Sequence, residues 1–198
     1  DEVFGSLGKE GKFDEDSKYD PRSPYSASKA ASDHLVNAWF HTYDLPVVTT
    51  NCSNNYGPWQ YTEKLIPKVI YNAINNLEIP IYGNGTNIRD WLFVEDHADG
   101  LIKVLNDGKI GEKYCIGGNE ERTNNQIVNL VCEILDELIP KDTSYSELIT
   151  YVKDRLGHDQ RYAIDASKIK CELDWAPKYS LKEGLRITIS WYINKFSK

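Results

Sequence analysis

SPYSASK, residues 23–29, is the stretch on which the reading of this chain turns. Ser23 is a good helix N-cap, and Pro24 occupies the first helical position, where a missing N–H costs nothing. The helix that begins there is predicted to run to about Thr42, with Leu35, Val36, Trp39 and Phe40 on an apolar face. It sets Tyr25 and Lys29 four residues apart, on one face and about a turn from each other. An ammonium beside a phenol favours the phenolate. A phenolate suits removal of a proton from a sugar or alcohol hydroxyl while hydride leaves the carbon. A helix start also carries a Tyr and a Lys at this spacing by chance, so the neighbouring segments must decide.

Outward from this helix, LPVVTTNCS (45–53) reads as a buried strand and NNYGPWQYTEK (54–64) as a loop. Residues 65–76 are predicted helical, IPIYG and WLFV are short strands, and a helix follows from about Asp96 to Leu105. KYCIGG is a further strand. Thr123 is placed to cap a helix carrying Ile127, Leu130, Val131, Ile134 and Leu138 at helical spacing. Ser180 and Glu183 form a capping box for the last helix. Helices alternating with short strands give an α/β fold. Residues 1–22 are polar and glycine-rich and read as a loop. Gly5, Gly8 and Gly11 have the spacing of a phosphate loop, but KFDEDS follows instead of an apolar helix, so they are read as decoys. Gly83 and Gly85 are read as a turn.

The 198 residues are enough for one sizeable domain or two small ones, and 40% hydrophobic content supports a packed core. A net charge of -7 argues against a nucleic-acid partner. No apolar run approaches the roughly 20 residues of a membrane helix, and no signal peptide is visible. Cys52, Cys115, Cys132 and Cys171 form no CxxC pair and read as free thiols of a reducing cytoplasm. With His34, His41, His97 and His158 they show no metal-ligand spacing, so no metal is expected and surface or pocket roles are assigned to the histidines. The chain has no Met and opens on DEVFG, which suggests a fragment or a processed chain.

Seven segments in order, DEVFG, SPYSASKAASDHL, NCSNNYGP, EKLIPKVI, YGNGTNIRDWLFVEDHA, IGGNEERTN and DRLGHDQRYAIDASKI, resemble the bacterial dTDP-glucose 4,6-dehydratases of the extended short-chain dehydrogenase/reductase superfamily. The resemblance spans essentially the whole chain. It implies an α/β fold with part of an NAD-binding Rossmann-type domain and a smaller α/β substrate domain. Residues 1–58 would be the end of the former and 59–198 mainly the latter, with about 89–106 returning to the Rossmann domain. The family's glycine loop, and the threonine it places directly before the Asp-Glu pair, have no counterpart here. The chain is therefore expected to correspond to the C-terminal portion and to be inactive alone.

The resemblance also implies roles. Asp1 and Glu2 match an acid and a base, Tyr25 the base at the sugar hydroxyl, and Lys29 its partner that grips the nicotinamide ribose. Asn55 lies near the nicotinamide, and Tyr25, Lys29 and Asn55 together face the NAD cofactor. Asn54, Lys64, Leu65, Tyr82, Arg89, Asn124, Arg155, His158 and Tyr162 match residues lining the pocket for the dTDP-glucose substrate. Arginine suits a diphosphate because its planar fork grips two oxygens at once. Leu156 departs from the family's DRPGHD and loosens the loop that carries Arg155 and His158. A homodimer through the Tyr25 helix is implied. Two other readings stand beside this one. A sibling nucleotide-sugar epimerase or decarboxylase would not need the Asp1–Glu2 pair. A non-catalytic nucleotide-sugar-binding module would need no glycine loop.

Overall fold

The structure, a computed structural model, describes residues 1–196. Helix α1 (Pro24–Tyr43) starts where Ser23 and Ser26 cap each other: Ser26 N–H donates to Ser23 Oγ at 3.1 Å and Ser23 N–H to Ser26 Oγ at 3.0 Å. It stops at Asp44, in the left-handed conformation. Its inward face differs from expectation. Ser26 and Ala30 are its buried residues, whereas Leu35 and Trp39 are 61% and 52% exposed. Small residues let this helix approach the turn at Glu2–Phe4 closely, and that approach rotates the large apolar side chains outward.

The strand expected over 45–53 is shorter, β1 (Thr49–Cys52), and Asn54–Tyr56, expected as loop, is strand β2. Next come α2 (Leu65–Ile74), β3 (Ile79–Tyr82), β4 (Ile88–Phe93), α3 (Val94–Asp107) and β5 (Lys113–Ile116). Then follow β6 (Glu121–Thr123), α4 (Asn124–Leu138), β7 (Ile149–Val152), α5 (Ser167–Leu173) and α6 (Leu181–Phe196). β1 pairs with β5, β2 with β4 and β3 with β7, all parallel; β4 also pairs antiparallel with β6. Parallel pairs joined through helices make the α/β class the sequence suggested. The expected caps form at Thr123, with Gln126, and at Ser180, with Glu183. Gly83 and Gly85, at φ 61° and 70°, make the turn after β3.

Three apolar clusters hold these elements. The largest joins α2, α4 and α6 over β3 and β4 through Ile70, Val131, Ile134, Leu185 and Tyr192. Each such side chain contributes about 1.5–3 kcal/mol when fully buried. A second packs Leu92, Val104, Ile116 and Trp175 between α3, β5 and α5. The third ties the first residues to the sheet through Val3, Phe4, Phe13, Ala30, Tyr162 and Ile164. Residues 5–13 run along 161–165, with Leu7 N–H on Arg161 O at 2.9 Å and Phe13 N–H on Ala163 O at 2.8 Å. No helix follows Gly11, so these glycines serve a pinned loop.

Asp90, midway along β4, is buried and accepts Gly118 N–H at 3.1 Å and Glu120 N–H at 2.8 Å from the loop after β5. Burial pushes its carboxyl pKa up, and those two donors oppose the shift. Gly118 has no alternative here: a Cβ would lie 1.9 Å from the Trp91 carbonyl oxygen. Among the described residues no helix is long and apolar enough to cross a membrane, and Cys52, Cys115, Cys132 and Cys171 are all unpaired.

Candidate active site

The candidate residues gather where the strands end. Val3 and Phe4 are buried, and Phe4 stacks on Phe13 at 5.2 Å, which anchors the turn carrying Asp1 and Glu2. Asp1 nitrogen donates to Cys52 O at 2.9 Å and Asp20 N–H to Val3 O at 3.0 Å, so the acidic pair lies beside the end of β1. Asp1 Oδ2 is buried without a partner. The Glu2 charge acts on both Arg89 and Tyr162. Lys29 acts likewise on Cys52, whose thiol pKa is pushed up chiefly by burial. Tyr25, 63% exposed, and Lys29 stand on the first turns of α1, and neither side chain is hydrogen-bonded or ion-paired within the described residues.

Past β1 only Ser53 intervenes before β2, and the chain changes its pairing partner from β5 to β4. Ser53 N–H continues the ladder to Ile116 O at 3.0 Å. Asn55 donates to Ser53 O at 3.0 Å and contacts His97 Nδ1 at 2.8 Å, and its carbonyl accepts Gln60 Nε2 at 2.8 Å. Asn54 Oδ1, Gln60 Oε1 and His97 Nε2 are buried without partners among the described residues. Orphaned buried polar atoms are uncommon in native folds, and three around this segment suit a polar ligand.

β4, the pairing partner of β2, carries Arg89 into a second group of aromatic and cationic side chains. Arg89, on β4, is 8% exposed, with its guanidinium carbon 4.2 Å from the Tyr162 ring centroid. It donates to Ile88 O at 2.7 Å, Asp159 O at 2.9 Å and Gln160 O at 3.5 Å. Nε–H and one Nη2–H remain for another acceptor. Tyr162 donates to Asp159, and burial with that carboxylate pushes its pKa up. Arg155 lies over Tyr82 at 5.5 Å. His158 contacts Asp154 at 2.7 Å; burial pulls the His158 pKa down and Asp154 partly restores it. Leu156, in place of the family's proline, is 99% exposed at the loop tip.

Arg89, Arg155, His158, Tyr82 and Tyr162 thus form this group. Asn124 opens α4, its N–H on Asn87 O at 3.0 Å. Lys64 and Leu65 open α2, and no hydrogen bond or ion pair joins their side chains to the group among the described residues. His97, Asp159 and Gln60 escaped the sequence reading as site residues. His97 sat inside the quoted VEDHA segment, and its partner is distant in sequence. Two surface cavities, of about 390 Å³ beside Asp99 and Trp175 and about 530 Å³ beside Tyr19 and His34, lie away from all of these residues. The assignment of the site rests on the chemistry of its side chains.

The family model for GDP-mannose 4,6 dehydratase matches residues 1–188. The chain is similar to a probable dTDP-glucose 4,6-dehydratase of Sinorhizobium fredii, 56% identical over 193 residues, covering 98% of this chain and 55% of the relative. It is 54% identical over 195 residues to the dTDP-glucose 4,6-dehydratase of Xanthomonas campestris pv. campestris, covering 98% and 56%. The chain therefore spans about half the length of these curated relatives. Its fold resembles that of the dTDP-glucose 4,6-dehydratase of Bacillus anthracis in complex with NAD, with TM-score 0.91 and 47% identity over 99% of this chain and 60% of that one. The Streptomyces venezuelae enzyme with NAD and TYD bound gives TM-score 0.91 and 41% identity over 99% and 58%.

Proposed function

The chain belongs to the GDP-mannose 4,6 dehydratase family, and from that membership we propose that the protein carrying it is an NAD-dependent dTDP-glucose 4,6-dehydratase. One observation carries the reading. The turn carrying Asp1 and Glu2 is hydrogen-bonded to the end of β1 and packs against α1, the helix that carries Tyr25 and Lys29. A carboxyl pair beside a Tyr–Lys helix is what dehydration requires and epimerisation does not.

The residues fit the nicotinamide end of NAD. Tyr25 and Lys29 have free polar ends, and Gln60 holds a buried, unpartnered acceptor. When bound, NAD supplies the hydride acceptor for C4 of the hexose and the hydride donor for C6. Tyr25 takes the C4 hydroxyl proton, and the Lys29 ammonium stabilises the phenolate. A C4 ketone makes the C5 proton acidic; Glu2 removes it for the elimination and returns a proton to C5 when C6 is reduced. Asp1 protonates the C6 hydroxyl, which departs as water. Carboxyls in different protonation states can share this work. Asn54, Lys64, Leu65, Tyr82, Arg89, Asn124, Arg155, His158 and Tyr162 hold the nucleotide, and Asn55 faces the cofactor. In this reading residues 1–58, with about 89–106, complete the cofactor domain and the rest is mainly substrate domain.

Incubating the whole protein with NAD and either dTDP-glucose or UDP-glucose tests the reading. Mass spectrometry is expected to show dTDP-sugar lighter by one water and little change in the UDP-sugar. An isomerised product of unchanged mass would overturn it.

The same proposal extends to setting. The free thiols suit the cytoplasm, and the product would feed deoxysugars such as rhamnose. The exposed Leu35–Trp39 stripe of α1 suits a homodimer face. Sedimentation velocity of the whole protein is expected to give a dimer, and Trp39→Glu a monomer; a monomeric unmodified protein would refute this.

A further inference from the structure

The Asn55 carboxamide is oriented without ambiguity. Its Nδ2 faces Ser53 O at 3.0 Å and Cys52 Sγ at 3.4 Å, and a carbonyl oxygen can only accept. The amide NH2 must therefore point that way, which leaves Oδ1 facing His97 Nδ1 at 2.8 Å. An amide oxygen also only accepts, so Nδ1 must carry the proton. A neutral imidazole has one N–H, so Nε2 is left as a bare lone pair. Nε2 is buried and has no partner, and a second proton there would bury an unsatisfied charged donor. Burial lowers the His97 pKa, in agreement with the neutral ring.

This contact bridges two elements. His97 stands in the first turns of α3, and Asn55 in β2, whose residues Asn54–Tyr56 pair with Trp91–Phe93 immediately before α3. Gln60 Nε2 holds the Asn55 carbonyl from the other side at 2.8 Å. Along β2 successive side chains point to opposite faces. Fixing Asn55 against α3 therefore fixes Asn54 on the opposite face, with its buried, unpartnered Oδ1.

We propose that His97 is a positioning residue: as the Nδ1–H tautomer it locks the Asn55 carboxamide and thereby sets the Cys52–Asn55 strand segment on the cofactor side of the site. The functional half of this inference rests on the NAD-dependent reading above. Its structural half does not.

The test has two arms. In the chain labelled with ¹⁵N-histidine, long-range proton–nitrogen NMR is expected to show Nδ1 protonated and Nε2 of the lone-pair type at neutral pH. The opposite tautomer, or a mixture, would overturn the proposal whether or not the protein is a dehydratase. Two variants of the whole protein form the second arm. His97→Leu removes the donor, whereas His97→Asn returns an N–H near the Nδ1 position. Loss of a buried hydrogen bond predicts about a 10-fold fall in kcat for His97→Leu, with KM for the sugar nucleotide little changed. His97→Asn is expected to recover most of that rate, and the Asn55 side-chain amide signals are expected to shift in the Leu variant and return toward normal in the Asn variant. Equal rates and equal Asn55 signals in the two variants would sink the positioning role. If no dehydration occurs with any form, the function proposal fails, and the tautomer and the Asn55 signals still judge His97.

Discussion

Replacing Tyr25 with Phe in the whole protein is expected to lower turnover of dTDP-glucose by about 10²–10⁴-fold, the usual contribution of a positioned acid–base group, and to leave folding stability within about 0.5 kcal/mol of the original. The two halves of this expectation come from the same observation. The Tyr25 ring is 63% exposed and its hydroxyl makes no hydrogen bond within the described residues, so the fold does not depend on it. Its backbone is already fixed by the Ser23–Ser26 cap, which the substitution leaves intact. In the proposed reaction the hydroxyl supplies a proton acceptor one helical turn from Lys29. Initial rates with NAD, together with urea denaturation, read both halves. A rate within tenfold of the original would place the base elsewhere. A large loss of stability would make Tyr25 a structural residue.

The parts legible in the sequence were the local ones. Ser23–Pro24, Thr123 and Ser180 announce helices because a cap is chemistry between residues three apart, and all three helices begin there. Helical spacing placed Leu35 and Trp39 on one face, but it carries no information about which way that face points. The small Ser26 and Ala30 decided it by allowing close packing. Asn54–Tyr56 hid as a strand because Gly57 and Pro58 follow a polar pair; pairing with Trp91–Phe93 makes it one. β6 is three half-buried residues with no apolar alternation, and α5 is shorter than a periodic window, so neither leaves a pattern. At the site the charges were visible and their commitments were not. Nothing in VEDHA tells that His97 meets Asn55, and nothing in IRDW tells that Arg89 meets the backbone of the Asp159–Gln160 loop.

Arg89 gives the other large expected effect, and it separates two jobs held by one side chain. Arg89→Lys keeps the positive charge but replaces a planar fork with a single ammonium. A lysine at this site can reach one of the three carbonyls that the guanidinium now serves, those of Ile88, Asp159 and Gln160. Each of these carbonyls keeps a second donor, Tyr162 N–H on Ile88 O, Asn87 Nδ2 on Asp159 O and Ile88 N–H on Gln160 O, so the variant loses bonds without orphaning an acceptor. The expected loss is about 1–2 kcal/mol, read as a lower urea midpoint. The stacking on Tyr162 also weakens, and Tyr162 lies in the segment that follows Arg155 and His158. Calorimetric titration with dTDP-glucose is therefore expected to show affinity lower by at least tenfold. If Arg89 served only the ligand, stability would hold while affinity fell. If it served only the loop, stability would fall and affinity would survive at urea-free, low-temperature conditions where the variant is folded. The geometry supports both losses together, because three contacts face the backbone while Nε–H and one Nη2–H remain uncommitted. The residue that fastens the 159–160 backbone is thus also the one left with donors to present, and a diphosphate would meet a fork whose orientation the protein's own carbonyls have already fixed.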